Sequence, residues 1–326
     1  MKVCGGLNMP KAQNIEEKYI NGIKVDKEDE MCAFNDEQHL YFNKETGEKY
    51  TSVTQLIAKY CPEFNEEFWS AYKALEAILD CDRWSLLKPK LLATKRFSNK
   101  TLDYVVTNYN VDKNQFLEKQ SEIKKEYKEK RDTACARGTA IHLEKELSMY
   151  GLQDFDFEQY GFSGLKGKFT CIQNHNVLDL DRGVYPEFLI SATFGDLTLV
   201  GQIDLLIIDG NDVFIGDYKS NKEIKKTSYF DTKKKRYQMM LPPINNLMDS
   251  TLVHYQLQLS LYARMIQQRN PNYNIKQLQV IHIDHDGNQT LYEVPYLKDD
   301  VDRLIKDFAK RQRIQALLDL DEPYLK

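Results

Sequence analysis

Two aspartates interrupt apolar stretches in the middle of this 326-residue chain, and a lysine follows the second of them. Asp204 lies inside the apolar run 199–208, and Asp217 stands two positions before Lys219. Residues 209–212, Asp-Gly-Asn-Asp, are typical of a hairpin turn, so the pattern predicts two adjacent strands. A buried carboxylate needs a compensating partner, and side chains two apart on a strand share a face. We therefore expect the acids and the ammonium group to converge on one point that suits Mg²⁺ or Mn²⁺.

A histidine on an upstream helix is a candidate nitrogen ligand for the same cation. Residues 134–149 are predicted to form a helix on which Gly138, His142 and Glu146 share one face at a spacing of four. A glycine inside a helix costs about 1 kcal/mol relative to alanine, so Gly138 predicts that another group approaches closely. A single histidine on a helix is more often structural than a ligand, and the pattern alone leaves both interpretations open.

Three further polar residues interrupt apolar patterns. Glu187 follows Pro186 in the predicted strand 184–192, where it is either an acid of the site or a surface residue on an edge strand. Gln258 and Tyr262 are four apart on a predicted helix of residues 251–268, so both can face the same point. The alternative for this pair is a tyrosine of the core beside an unrelated glutamine.

A basic segment of residues 220–250, the basic loop, directly follows Lys219. It carries seven basic residues in its first half against only two acidic ones. Aromatic side chains among these cations suit single-stranded nucleic acid, through base stacking and phosphate pairing, whereas a solvated loop without a ligand is the alternative. The interleaved aromatic residues are Tyr229, Phe230 and Tyr237. The predicted DNA-binding residues of the loop are Lys222, Lys225, Lys226, Lys233, Lys234, Lys235 and Arg236.

The N-terminal region is predicted to be mostly helical. Residues 1–35 have little periodicity, which predicts either partial disorder or an extended arm. Residues 40–50 indicate a hairpin, and residues 64–132 indicate several helices. Between the hairpin and these helices, Ser52 or Thr54 can cap a further short helix. The sequence favours a plain cap for these hydroxyls over a role in holding a DNA phosphate at the helix N-terminus.

Four short motifs occur in order along the chain, and together they resemble one enzyme family. They are Gly138-x-x-x-His142, Gly201-x-x-Asp204, Asp217-x-Lys219 and Gln258-x-x-x-Tyr262. Each motif is weak alone, but the ordered set resembles the PD-(D/E)XK nucleases. More narrowly it is similar to their RecB-type exonuclease branch, which includes phage, CRISPR-associated and mitochondrial genome maintenance exonucleases.

This resemblance implies a fold and a role for each residue. The fold is α/β, with a restriction-endonuclease-like core in which helices flank a mixed central β-sheet. Residues 133–326 would form this core, and residues 1–132 the N-terminal hairpin and helical region. The implied metal ligands for Mg²⁺ or Mn²⁺ are His142, Asp204, Asp217 and the backbone carbonyl of Tyr218. The implied catalytic residues are Lys219, which would orient the attacking water, with Asp204, Asp217, Glu187, Gln258 and Tyr262. Arg137, in the motif Arg-Gly-Thr-x-x-His, is expected to bind DNA.

Some relatives of the RecB type hold an iron–sulfur cluster with three cysteines after the core. No cysteine follows Cys171 here, so we expect no such cluster. The net charge of −4 argues against a protein that coats DNA through a wholly basic surface. The sequence has no apolar run near the roughly 20 residues of a membrane helix and no signal peptide. We therefore expect a cytoplasmic protein without membrane contact, in the host cytoplasm if the chain is viral.

The expected function is metal-dependent hydrolysis of DNA. An exonuclease that acts at DNA ends or on single strands fits the motifs best, in replication, recombination or repair, with protein partners in such a complex and a viral source. The alternatives are a structure-selective or restriction-type endonuclease, and a DNA-binding assembly protein with a nuclease fold. The four motifs contain all the acids and the lysine that catalysis needs, which favours an enzyme over the assembly protein.

Overall fold

The structure is a computed structural model that describes residues 18–150, 152, 154–172, 180–232 and 234–321. The N-terminal region begins with short antiparallel strands, so the expected extended arm is wrong for residues 18–35. Asn21 and Gly22 both have positive φ angles of 50° and 80°, and they form the tight turn between the first two strands. The antiparallel strands of this region are β1 (Lys18–Ile20), β2 (Ile23–Val25), β3 (Lys27–Glu28), β4 (Cys32–Asn35) and β5 (Leu40–Asn43). A sixth short strand, β6 (Thr51–Ser52), pairs in parallel with a strand of the main sheet.

The next five elements are helices, as the periodicity of residues 64–132 predicts. Four of them, α2 to α5, bury an apolar core of their own that includes Phe68, Leu75 and Phe116. Pro89 lies inside α3 and does not interrupt it. The helices are α1 (Val53–Ala58), α2 (Glu66–Ile78), α3 (Cys81–Thr94), α4 (Asn99–Tyr109) and α5 (Lys113–Met149).

Helix α5 is one continuous helix of 37 residues, whereas the sequence predicted two helices. Its middle turns are charged on all sides, so they lack the apolar stripe that marks a helix packed along its length. The N-terminal half packs in the helical core through Phe116 and Ile123, and the C-terminal half carries His142. The predicted domain boundary at residue 132 therefore lies inside a continuous helix, which connects the helical core rigidly to the region of the predicted site.

The remaining elements build the main sheet, its covering helices and a separate two-stranded hairpin. The strand order of the main sheet is β13-β12-β9-β8-β6, and β7 also pairs with β8. The β9–β12 and β6–β8 pairs are parallel and the others antiparallel. These elements are β7 (Gly183–Phe194), β8 (Leu197–Asp209), β9 (Asp212–Lys219), β10 (Phe230–Asp231), β11 (Arg236–Tyr237), α6 (Thr251–Arg269), β12 (Asn274–Ile283), β13 (Gln289–Val294) and α7 (Lys298–Asp321).

A mixed central sheet flanked by helices confirms the predicted α/β fold class. The largest core cluster joins the sheet to α1, α6 and α7 through residues such as Leu56, Leu259 and Leu304. The sequence predicts residues 278–283 as the last strand, but this is wrong because a further strand, β13, pairs with β12 along the edge. No helix of those described is long and apolar enough to cross a bilayer.

The sequence also predicts a helix or helix–loop over residues 160–177, and this prediction is wrong where the structure describes these residues. Only a single 3₁₀ turn, Phe157–Tyr160, forms there. Gly161, Gly164 and Gly167 follow it with φ angles of 81°, 87° and 88°, which is a left-handed conformation that ends a right-handed helix. Residues 173–177 of that prediction lie outside the described residues.

Replacement by alanine should change the free energy of unfolding in opposite directions at two glycines of the predicted motifs. A Cβ at Gly201 would lie 2.6 Å from Cε1 of the buried Tyr262, whereas one at Gly138 would meet only Ser220 Oγ at 3.6 Å. We expect Gly201→Ala to lower the free energy of unfolding by about 1–3 kcal/mol through overpacking. Gly138→Ala should raise it by up to about 1 kcal/mol because alanine favours helix.

Urea unfolding followed by circular dichroism in one buffer measures both changes. Equal stability of the two variants would contradict the close packing of Tyr262 on β8.

Candidate active site

The three acids of the sequence analysis lie side by side across strands β7, β8 and β9. Leu205 pairs with Gly216, and this register brings the preceding Asp204 opposite Asp217. The register of β7 on β8 brings Glu187 opposite Asp204 in the same way. Asp217 is 0% exposed and Asp204 is 7% exposed. Three acids are thus held in one largely buried row, which requires compensating partners.

The ladder of backbone pairing between β8 and β9 ends at the pair Leu205 and Gly216, next to this row of acids. The backbone N–H of Tyr218 is free of that ladder and donates to Asp204 Oδ2 at 2.7 Å. A hydrogen bond of this kind stabilises the carboxylate form. The predicted role of Tyr218 concerns its carbonyl oxygen and stays a prediction, whereas its N–H already orients Asp204.

Glu187 has a φ angle of 50° in the middle of β7. This left-handed conformation is uncommon for a residue with a side chain, and such residues cluster at functional sites. Tyr185 and Phe188 are three apart yet pack in the same core cluster, so the alternation of the strand reverses at Glu187. The Gln202 amide donates to its carboxylate. Nothing in the sequence predicts this backbone distortion at Glu187. The structure also adds Gln202 to the residues of the site.

His142 projects from α5 onto this row of acids. Its Nδ1 lies 3.3 Å from Glu187 Oε1 and 3.4 Å from Asp204 Oδ1. Burial lowers the pKa of His142, but the carboxylates of Asp204 and Glu187 outweigh it and raise the pKa to about 11. Potential ligand atoms of the three residues lie within 4.8 Å of one another. One nitrogen and two carboxylates at this spacing are a donor set that fits Mn²⁺ or Mg²⁺.

Asp217 belongs to a second unit beside this set. Its Oδ2 lies 2.6 Å from Lys219 Nζ, and its Oδ1 accepts a hydrogen bond from Gln258 Nε2 at 3.1 Å. Gln258 also donates to the Tyr262 hydroxyl at 3.3 Å. Burial raises the pKa of Asp217 to about 7, although Lys219 opposes the shift. The structure therefore places Asp217 against Lys219, and it groups Glu187 instead with His142 and Asp204.

A cavity of about 170 Å³ brings both units to one opening. Lys219 reaches it while its ammonium lies 4.9 Å from the centre of the Tyr255 ring, an arrangement that stabilises the cation. His39 and Tyr41 line the same cavity, although the sequence analysis did not select them. The sequence offers only one indication of their role, which is that they lie in the hairpin just before the capped helix α1. The other residues of the lining are Ser52, Val53, Thr54, His142, Glu187, Gly201, Gln202, Asp204, Gln258 and Tyr262.

Ser52 and Thr54 reach the cavity from the start of α1. Ser52 is the N-cap, with a capping box in which Gln55 N–H donates to Ser52 Oγ at 3.2 Å and Ser52 N–H donates to Gln55 Oε1 at 3.1 Å. The Thr54 hydroxyl lies 3.1 Å from that of Ser52. The geometry is that of the plain cap the sequence favours, and a contact of these hydroxyls with DNA stays a prediction.

Arg137 lies one turn before His142 on α5. Its guanidinium donates to the backbone carbonyls of Ser220 and Asp284, so it ties the helix to the ends of β9 and β12. This arrangement positions His142 relative to the sheet. The structure therefore gives Arg137 a bracing role, and the predicted contact with DNA stays untested.

The basic loop folds back on itself through the β10–β11 hairpin. Its cations at Lys222, Lys225, Lys226, Lys234, Lys235 and Arg236 are all exposed, and Lys233 lies outside the described residues. Tyr229, Phe230 and Tyr237 are 61%, 43% and 40% exposed, which is high for aromatic residues. A cavity of about 610 Å³ combines two of these rings with three of the cations and an apolar floor. It is lined by Lys226, Phe230, Lys235, Arg236, Tyr237, Met239, Asn246, Leu247, Met248 and Val253.

Comparison with known proteins identifies the family. A search of curated proteins gives no match. The solved protein SSO0001 is 17% identical over 59% of this chain and 70% of its own, with a TM-score of 0.30. A candidate exonuclease from Eubacterium rectale is 12% identical over 82% of this chain and 81% of its own, with a TM-score of 0.32. These two similarities are too low to support an argument. The family model of the PD-(D/E)XK nuclease superfamily, however, matches residues 73–323, and the chain therefore belongs to that superfamily.

Proposed function

We propose that this protein is a Mg²⁺- or Mn²⁺-dependent deoxyribonuclease, and that it acts as an exonuclease on DNA ends or single strands. The observation that carries the proposal is the convergence of His142, Glu187 and Asp204 beside the Asp217–Lys219 pair. Membership of a nuclease superfamily supports hydrolysis of a phosphodiester. Relation to the RecB branch, a phage source and a role in replication, recombination or repair rest on the four motifs.

The proposed metal ligands are His142 Nδ1 and the carboxylates of Glu187 and Asp204. When bound, the cation supplies a water of lowered pKa and neutralises charge that develops on the phosphate. The Tyr218 N–H holds Asp204 in one orientation, and the Gln202 amide does the same for Glu187. Partners of this kind fix the direction of a ligand and raise metal affinity. Asp217 and the Tyr218 carbonyl stay predicted as further ligands.

Lys219 is the proposed residue that orients the attacking water and stabilises the charged transition state. Asp217 fixes the ammonium at 2.6 Å, and the Tyr255 ring limits its other positions. Gln258 donates to Asp217, and the Tyr262 hydroxyl accepts a hydrogen bond from Gln258. Gln258 and Tyr262 therefore act on the reaction through Asp217 and Lys219, as positioning residues.

The basic loop is the proposed binding surface for a single strand. Bases that are not paired can stack on Phe230 and Tyr237, while Lys226, Lys235 and Arg236 pair with phosphates around the same cavity. A duplex buries its bases and offers only phosphates to such a surface. The cavity thus favours single-stranded DNA, or a frayed DNA end, over intact duplex.

Two alternatives remain as competing functions. A structure-selective endonuclease would use the same metal site, and a DNA-binding assembly protein would use the basic loop without hydrolysis. The endonuclease differs from an exonuclease because it cleaves DNA without ends, and the assembly protein differs because it leaves linear DNA intact.

Digestion of single-stranded DNA in linear and closed circular form tests the proposed activity directly. With Mg²⁺ or Mn²⁺, we expect mononucleotides or short products from end-labelled linear strands and no loss of circles. EDTA and the Asp204→Asn variant should each stop the reaction, because both remove the proposed metal.

Nicked or fragmented circles would instead indicate the endonuclease. Binding of both linear and circular DNA, without cleavage of either in the presence of Mg²⁺ or Mn²⁺, would indicate the assembly protein. Comparison of strands labelled at the 5′ end with strands labelled at the 3′ end, on the same gel, determines the polarity of cleavage.

Asp217 and Lys219 should behave as one catalytic unit. We expect Lys219→Met to lower kcat about 100- to 1000-fold, in line with the loss of one transition-state donor, with little change in KM. Asp217→Asn should cause a loss of at least similar size because it leaves Lys219 unanchored. The double variant should then lose little more than the worse single variant, since residues that act as a unit are not additive.

Single-turnover cleavage of a fluorescent single strand measures these rates, and circular dichroism confirms the fold of each variant. Full multiplication of the two losses would contradict the pairing of Asp217 with Lys219.

The cavity of the basic loop should dominate the salt dependence of binding. Replacing Lys226, Lys235 and Arg236 by glutamine should flatten the slope of log affinity against log salt by about 0.7 for each lost phosphate contact with a single strand. Phe230→Ala should weaken binding by about 1–3 kcal/mol at every salt concentration. Fluorescence anisotropy with the cleavage-deficient Asp217→Asn background measures both effects.

A matched control removes three exposed lysines from α5, Lys125, Lys128 and Lys130, and changes net charge equally. Equal slopes for the two triple variants would show that only overall charge matters, and the basic loop would lose its proposed role.

A further inference from the structure

A second cluster of metal-ligating side chains lies apart from the row of acids. Cys61 follows α1, Asp249 precedes α6, and His254 is in the first turn of α6. Potential ligand atoms of these three residues lie within 4.8 Å of one another, and all three are partly buried. The proposed nuclease chemistry uses none of them. Cys61 offers a soft sulfur ligand, which hard cations such as Mg²⁺ do not favour.

The spacing of this cluster matches a tetrahedral metal. Tetrahedral zinc, with Zn–S near 2.3 Å and Zn–N near 2.0 Å, holds a sulfur and a nitrogen ligand about 3.5 Å apart. Cys61 Sγ lies 3.5 Å from His254 Nε2. Asp249 Oδ1 lies 2.7 Å from the same nitrogen, which is a hydrogen-bond distance about 0.6 Å shorter than two ligands of one zinc ion require. A small outward shift of the Asp249 carboxylate completes the set.

The same His254 nitrogen faces both the thiol and the carboxylate, which argues against a Cys–His–Asp nucleophile. In such a triad one ring nitrogen faces the thiol and the other faces the carboxylate. Here both groups converge on Nε2, as ligands converge on a shared cation. Burial lowers the pKa of His254, but Asp249 and Cys61 raise it to about 9, which reflects the negative potential at this point.

A supporting residue stands behind the carboxylate. Gln238 Nε2 donates to Asp249 Oδ2 at 2.6 Å, so Oδ1 is the oxygen directed at His254. Metal-binding carboxylates are commonly held by a hydrogen bond of this kind. Gln238 is part of the basic loop, just after β11.

From these contacts we propose a structural zinc site formed by Cys61, Asp249 and His254, with water as the fourth ligand. The site joins the segment after α1, the end of the basic loop and the start of α6. His254 is one turn before Gln258 on α6, so a metal here fixes the helix that positions Asp217. The site is chemically distinct from the oxygen-rich site at Asp204 and does not rest on the proposed nuclease activity.

Cobalt substitution tests this site. Metal-free protein in a phosphine reductant is titrated with Co²⁺ and followed by absorption. We expect a thiolate-to-cobalt charge-transfer band and the intense visible bands of tetrahedral cobalt, saturating at one equivalent and displaced by Zn²⁺. Cys61→Ser should abolish the charge-transfer band, and His254→Gln should abolish the tetrahedral bands. Gln238→Ala should keep the bands and weaken affinity about 10- to 100-fold, as a supporting residue would.

Two control variants identify the source of the signal. Cys81→Ser removes an exposed cysteine at the start of α3 and should leave all bands unchanged. Asp204→Asn removes a ligand of the proposed catalytic metal and should leave them unchanged as well. No charge-transfer band in the wild-type protein would overturn the proposal, and so would a band that survives Cys61→Ser.

Discussion

The burial of three carboxylates in one row across β7, β8 and β9 is the constraint on which the rest of the structure depends. Charges taken out of water are strongly unfavourable unless other groups replace the water. Each acid has a different replacement: the Gln202 amide for Glu187, the Tyr218 N–H for Asp204, and the Lys219 ammonium for Asp217. His142 bridges the first two acids. The site is therefore a set of paired charges to which a divalent cation can be added.

The compensating groups come from several elements, and this explains why distant parts of the chain meet here. Helix α5 supplies His142 and is tied to the sheet by Arg137. Helix α6 supplies Gln258, which holds Asp217 from the other side. The short strand β6 pairs with β8 and delivers Ser52 to the cavity. The proposed zinc site would fasten α6 to the segment after α1, and it would thereby help to fix the position of Gln258.

The sequence was enough to predict most of the residues of the site, but not the backbone conformations that bring them together. Alternating apolar runs and a turn motif were enough to pair Asp204 with Asp217, because register follows from a short hairpin. The spacing of Gly138 and His142 predicted that the histidine lies on a helix. The length of α5 could not be predicted, because its charged middle turns have no apolar stripe. The left-handed Glu187 had no signal at all, because tertiary contacts and not local preference stabilise such a residue. His39 and Tyr41 were missed because only the folded chain brings that hairpin to the cavity.

Anomalous diffraction from crystals soaked in Mn²⁺ tests the central claim most directly, since it locates the cation without reference to activity. The account predicts a manganese peak bounded by His142 Nδ1, Glu187 and Asp204, with Lys219 still paired to Asp217. The peak should disappear in crystals of His142→Ala and remain in those of His285→Ala, which changes an exposed histidine. A manganese peak without His142 Nδ1 among its ligands, or no peak near this row at saturating Mn²⁺, would contradict this proposal.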